Sequence, residues 1–350
     1  MLTDADLYLR FDGYEDLKPL LDGSDEDVLV ALGKPALIRI PGTDAAPQAR
    51  LVACLLHGNE DSGYRAVLEV LRAGERYPFD LWVVIGNVRA ASQEGWFAHR
   101  FLDGQEDFNR VWGLHAPTTT TRRCADALLD VLLDACLDAA VDIHNNTGVN
   151  PYYTIVPDPT QESLALAASL ADTVLRWPLR AYTLMEALSG HCPAVSVECG
   201  LPGLPENHAF ASSMLRRFLS MAEVGSSTPE QPALPQRVFE MMHRVVVRPE
   251  VPFAFGGTLT EELDLVLTIG TDGHNFGMLL AGSEIGRVHA TAAMPLVATD
   301  MRERDTTERF FTVSADGSLR VVEDITPVMF TTTVLQTRRD CLFYVARRRL

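Results

Sequence analysis

Short apolar segments alternate with helical stretches through the first two-thirds of this chain, and that alternation limits the fold more than any other feature. "ALIRI" (36–40), "ARLVACLLH" (49–57), "DLWVVIGNV" (80–88), "AAVDIH" (139–144), "YYTIV" (152–156) and "AVSVEC" (194–199) are rich in β-branched residues and read as strands. Helical patterns at roughly 62–73, 122–137 and 161–174 lie between them, and another follows at 207–222. Strands that are apolar throughout are buried on both faces, so the pattern predicts an α/β fold, a mixed β-sheet flanked by helices. A Ser-, Pro- and Gln-rich stretch without periodicity, "VGSSTPEQPALPQ" (224–236), then reads as a linker. Beyond it "RVVVR", "LVLTIG", "RFFTV", "LRVVED", "MFTTTVL" and "CLFYVARR" are separated by Gly and Asp turns and read as strands. The expected organisation is a first domain over 1–224, a linker over 225–236 and a smaller β-rich domain over 237–350.

Charge narrows the partners. A net charge of -17 over 350 residues argues against nucleic acid and anionic membrane. The helical stretch "ALLDVLLDACLDAAV" is interrupted by Asp130, Asp134 and Asp138, so no membrane span is expected. The first residues, "MLTDADLYLRFDGYED", are acidic and lack the basic and apolar regions of a signal peptide. Cys54, Cys124, Cys136, Cys192, Cys199 and Cys341 form no CxxC pair, which fits reduced thiols in a cytoplasm.

Functional groups of an α/β sheet gather beyond the carboxyl ends of its strands. Four such ends carry reactive residues: "HGNE" with His57 and Glu60, "VDIHNNTG" with His144, "SVECGLPG" with Glu198, and the segment 87–113 with Arg100, Asp107, Asn109 and Arg110. Each alone has a bland reading as a buried histidine, a cap or a turn. Together they suit a catalytic zinc site, which takes three protein ligands and leaves a fourth position for water. His57 and Glu60 are the short-spaced pair, His144 is the distant third ligand, and Glu198 is the candidate general base. Other classes lack their signatures: there is no G-x-S-x-G elbow, P-loop or G-x-G-x-x-G after a strand. Cys199 follows Glu198 directly and points to the opposite strand face, which makes it a poor nucleophile candidate.

In this order "HGNE", "GNVRAA", "RFL…DFNR", "DIHN" and "VECG" resemble the succinylglutamate desuccinylase/aspartoacylase family of zinc carboxypeptidase-like hydrolases, which cleave N-acyl amino acids. The resemblance spans roughly 51–200, and the β-rich tail suits the family's second domain. It implies one zinc per chain on His57, Glu60 and His144, with Glu198 as catalytic carboxylate. It also implies that Arg100 polarises the scissile carbonyl, that Asn109 and Arg110 hold a substrate carboxylate, and that Asp107 orients His57. The spacer "FLDGQEDFN" between Arg100 and Arg110 is longer than the family's, which leaves Arg89 as the second candidate for the carbonyl role. Arg180, Tyr182 and His191 are expected to pack or face solvent, and His274 to sit in a turn.

The expected activity is zinc-dependent removal of an acyl group from a small N-acyl amino acid. A peptide-cleaving carboxypeptidase would use the same residues, and a non-catalytic zinc-binding relative would not need Glu198. The sequence leaves room for a homo-oligomer.

Overall fold

The computed structural model describes residues 3–45, 48–115, 118–224, 237–289 and 293–349. The expected linker, 225–236, lies outside the described residues. The chain divides into two compact units, Met1–Asn145 with Tyr152–Gln236, and Asn146–Pro151 with Arg237–Leu350. The second unit thus also takes 146–151, a stretch within the span that the sequence pattern assigns to the first domain.

The first unit is built on β1 (Leu9–Asp12), β2 (Ala36–Ile40), β3 (Ala49–Cys54), β4 (Asp80–Ile85), β5 (Leu137–His144), β6 (Tyr153–Val156), β7 (Thr173–Arg176) and β8 (Ala194–Glu198). They lie in the order β1-β2-β4-β3-β5-β8-β6-β7. The neighbours β4, β3, β5 and β8 run parallel, while β2 and β6 run antiparallel to β4 and β8. The sheet is therefore mixed, as expected.

Every residue of β3, β4 and β8 is buried, which is why these segments are mostly apolar without alternation. Val52 and Cys54 join a core with the helices Asp61–Ala73, Gln161–Leu170 and Pro205–Ser220. The alternate residues Leu51 and Ala53 join another core with the helices Thr120–Asp134 and Leu184–Leu188. The helix expected over 122–137 stops at Asp134, because Cys136 takes a left-handed φ of 52° and Leu137 already opens β5. The helix expected over 161–174 stops at Leu170, and Thr173 starts β7.

The second unit carries β9 (Arg237–Val247), β10 (Phe253–Phe255), β11 (Leu265–Leu267), β12 (Glu284–Val288), β13 (Leu296–Asp300), β14 (Phe311–Val313), β15 (Ser318–Val321), β16 (Thr326–Val328) and β17 (Phe343–Arg348). β9 pairs with β13 and β17, and β17 with β16, all antiparallel. The other five form a sheet in the order β10-β11-β12-β15-β14. Phe310, Phe311, Phe330 and Phe343 are among the large side chains of the unit's core. "MFTTTVL" is not a strand: Met329 has a φ of 57°, and the Thr333 side chain accepts from the Gln336 N–H to cap the helix Val334–Arg339. No helix among the described residues is long and apolar enough to cross a membrane.

Candidate metal centre

Parallel strands bring their carboxyl ends to one edge, and β3, β5 and β8 are neighbours. β3 ends at Cys54, opposite Ile143, and His144 stands opposite Glu198 in the β5–β8 register. Three residues past Cys54 the chain reaches His57. At Gly58 an added Cβ would lie 2.7 Å from Ala90 Cβ, Ala91 N and His99 O, so the loop approaches its neighbours as only glycine can. The Gly58 N–H donates to the Arg100 carbonyl at 2.9 Å, which ties the His57 loop to the loop that carries Arg100.

Glu60 precedes the helix Asp61–Ala73 at the N-cap position yet makes no side-chain cap bond. Its carboxylate turns instead to the histidines: Oε1 is 2.9 Å from His57 Nδ1 and Oε2 is 2.7 Å from His144 Nδ1. The helix start is held in place by others. Asp61 accepts from the Gly203 N–H, and Asn145 accepts from the Ser62 N–H while donating to the Gly200 carbonyl. His57, Glu60 and His144 are all buried, each offers one ligand atom, and these atoms lie within 4.8 Å of one another.

The far nitrogens of both imidazoles meet carboxylates. His57 Nε2 is 2.9 Å from Asp107 Oδ1, and His144 Nε2 is 2.5 Å from Asp142 Oδ2. An acceptor at Nε2 fixes the proton there and leaves Nδ1 facing Glu60, the usual support for a liganding histidine. Arg100 spans Glu60 and Asp107, with Nη1 3.2 Å from Glu60 Oε1 and Nη2 3.3 Å from Asp107 Oδ2.

The electrostatics follow from this crowding. Burial opposes ionising Glu60, but His57 and His144 outweigh it and hold its carboxyl well below the ordinary range. Burial likewise opposes the charge on Asp107, which His57 and Arg100 nevertheless hold low, with a further pull from Arg110. Burial disfavours the His144 cation, yet Asp142 and Glu60 raise its pKa well above the usual value. Burial, opposed by His144 and reinforced by Glu60, pushes the Glu198 carboxyl up to about 8. The Cys199 thiol is also raised, by burial and then by Glu198 and Glu60, so it is no thiolate.

This donor set fits a divalent cation. Two imidazole nitrogens and a carboxylate converge in a buried place where acidic groups outnumber Arg100 and Arg110. A negative excess there calls for positive charge, supplied by protons on Nδ1 or by a metal in their place.

The remaining residues divide. Arg110 donates to the Asn109 carbonyl at 2.9 Å and is half-buried. Asn109, read from the resemblance as a substrate contact, is only 3% exposed and spends its amide inward. Nδ2 lies 3.3 Å from Asp142 Oδ2 and 3.2 Å from His144 Nε2, while Oδ1 accepts from the Leu184 N–H at 3.0 Å. Arg89 is exposed and lines a separate cavity of 470 Å³ with Lys34, Gln105 and Thr120, so Arg100 is the arginine beside Glu60. Arg180 stacks over Tyr182, His191 is exposed, and His274, expected in a turn, ends the short 3-10 helix Thr271–His274 of the second unit. Asp142 escaped the sequence reading, although its spacing of two from His144 on a strand puts both on one face.

Residues 46–189 match the family model described as the succinylglutamate desuccinylase/aspartoacylase catalytic domain. His57, Glu60, Arg100, Asp107, Asn109, Arg110, Asp142 and His144 fall inside that span, and Glu198 lies beyond it. A succinylglutamate desuccinylase/aspartoacylase from Rhodobacter sphaeroides has a similar fold, with a TM-score of 0.59 at 16% identity over 89% of this chain and 88% of its own. An ectoine utilization protein from Ruegeria pomeroyi, in a product-bound structure, gives 0.57 at 16% identity over 89% and 88%. The succinylglutamate desuccinylase of Chromobacterium violaceum gives 0.51 at 18% identity over 71% and 78%. No curated protein sequence matches this chain.

Proposed function

We propose, from the premise that this chain belongs through residues 46–189 to the succinylglutamate desuccinylase/aspartoacylase family of deacylases, that it is a zinc-dependent hydrolase of small N-acyl amino acids. The observation that carries this reading is the convergence of His57, Glu60 and His144 with Glu198 in register beside His144. These three residues would hold the zinc, which when bound supplies a Lewis acid for the acyl carbonyl and acidifies water toward neutral pH.

The chain's own residues do the rest. Glu198, whose ionised form zinc bound beside it would favour, takes the proton from the attacking water on its carboxylate and returns it to the nitrogen of the departing amine. Arg100 presents its guanidinium to the carbonyl oxygen as negative charge develops there, a preorganised contribution on the order of 3 kcal/mol. Arg110 receives the substrate carboxylate through a charge-assisted contact. Asp107 and Asp142 hold the two histidines by their far nitrogens and keep their near nitrogens aimed inward.

Two measurements test the reading together. Protein purified without chelators should carry about one zinc per chain. Zinc-loaded protein should hydrolyse at least one of a panel of succinyl, acetyl, aspartyl and bulkier acyl amino acids and leave dipeptides intact. Zinc-free protein, or zinc-loaded protein that cleaves dipeptides in preference to every acyl amino acid, would overturn it.

A further inference from the structure

Asn109 stands where both histidine–carboxylate pairs meet. Its backbone N–H donates to Asp107 Oδ1 at 2.8 Å, the same oxygen that faces His57 Nε2. Its side-chain Nδ2 lies 3.3 Å from Asp142 Oδ2, the same oxygen that faces His144 Nε2. The orientation of the amide is fixed by chemistry. Leu184 offers an N–H, so the atom toward it must be the oxygen, and Asp142 offers a carboxylate, so the atom toward it must be the NH₂.

We infer that Asn109 is a positioning residue that braces both metal-ligating histidines through their acceptor carboxylates. The inference rests on the zinc reading above. Asp142 depends on this brace. Its side chain is fully buried, and its Oδ1 has no hydrogen-bond partner among the described residues. Oδ2 therefore carries the charge between two donors, His144 and Asn109. A buried carboxylate that loses one of two donors is poorly compensated and shifts, and the imidazole it holds shifts with it. The other end of the Asn109 side chain is anchored by the first N–H of the helix Leu184–Leu188, so its amide cannot turn away without breaking its hydrogen bonds to Asp142 and to the Leu184 N–H.

Arg110, next in sequence, differs in every respect: it is half-buried, and a guanidinium contact at Nη1 runs to the neighbouring carbonyl. Asn109 thus holds the histidine carboxylates, while the Arg110 guanidinium is the more accessible of the two side chains.

The test measures zinc affinity of metal-stripped wild type, Asn109→Ala and Thr183→Ala by competition with a chelating dye. It adds the visible spectrum of each protein loaded with cobalt, and kcat and KM on the best acyl amino acid. Asn109→Ala should bind zinc roughly 10- to 100-fold more weakly, the range for losing an outer partner of a metal ligand. Its cobalt spectrum should change, and kcat should fall with KM little altered. Thr183→Ala removes the cap of the helix that Asn109 touches, so it should lower the melting temperature and leave zinc affinity alone. Should Asn109→Ala not fold, Asn109→Asp keeps the acceptor for the Leu184 N–H, lacks the donor to Asp142, and is expected to lose zinc affinity in the same way. Unchanged zinc affinity with a raised KM overturns the inference and returns Asn109 to the substrate. An equal loss of zinc in Thr183→Ala also overturns it, since general loosening would then suffice. A wild type that binds no zinc instead overturns the functional reading beneath it.

Discussion

The two histidines reach the same point by different routes. His144 closes a strand, and its carboxylate partner lies two residues back on the same strand, with a side chain 0% exposed. His57 sits on a loop past its strand, and its partner Asp107 comes from 50 residues later on another loop, with a side chain 16% exposed. The pleat of a strand puts the first pair side by side, since residues two apart share a face. The second pair exists only because two loops are pinned together, at Gly58 and by the Gly58 N–H to the Arg100 carbonyl. One half of the centre is local geometry and the other is assembly. Glu60 joins them, one carboxylate oxygen to each histidine.

The largest expected effect lies on the strand-borne half. Glu198 faces His144 across β5 and β8, and Gln keeps its size without accepting a proton at neutral pH. Glu198→Gln should keep its zinc and its substrate affinity while turnover falls by roughly 100-fold or more. Metal content and kinetics on one preparation decide this, and lost zinc would recast Glu198 as a ligand.

The contrast between the halves is sharpened by a matched pair, Asp142→Asn and Asp107→Asn. Each should weaken zinc binding by roughly 10- to 100-fold. Asp142→Asn should sit at the upper end, because no water reaches that buried position, whereas water can stand in at the more open Asp107. Equal losses in a zinc competition assay would mean that burial does not separate the two pairs.

Arg110→Ala should raise KM for substrates that carry the carboxylate by about 10-fold, for about 1.5 kcal/mol from a charged hydrogen bond. Amidated analogues should lose much less. Equal losses for both substrate sets would assign Arg110 a structural role.

The smallest effect expected on the chemistry comes from Gly58→Ala, which tests the assembled half alone. A methyl group there meets backbone and Ala90 at 2.7 Å, so the loop must move at a cost of about 1–3 kcal/mol. Thermal melting should fall, and zinc affinity should drop less than in Asp107→Asn. A variant as stable as wild type would show that the close approach at Gly58 is not what pins the loops.

Legibility in the sequence follows the same division. β2 was read at its bounds over 36–40, and the helix Asp61–Ala73 to within a residue, because burial on both faces or on one stripe leaves an unbroken period. The junctions after 134 and 170 were not legible, since a left-handed Cys136 and a short loop interrupt patterns that composition carries straight through. "MFTTTVL" misled for a related reason: its β-branched residues suit a strand, but Thr333 spends its hydroxyl on a helix cap.

By itself the sequence determined the α/β class and the candidate ligands, because strand ends in a parallel sheet must surface along one edge, whatever the loops do. It also contained the Asp142–His144 pair, in a spacing of two on a strand. Tertiary structure alone decided that Arg100 rather than Arg89 stands beside Glu60, and that Asn109 turns inward to Asp142 and the Leu184 N–H. Those choices hang on loops, where neighbouring side chains have no fixed period and direction is set by which distant donor or carboxylate packs against them.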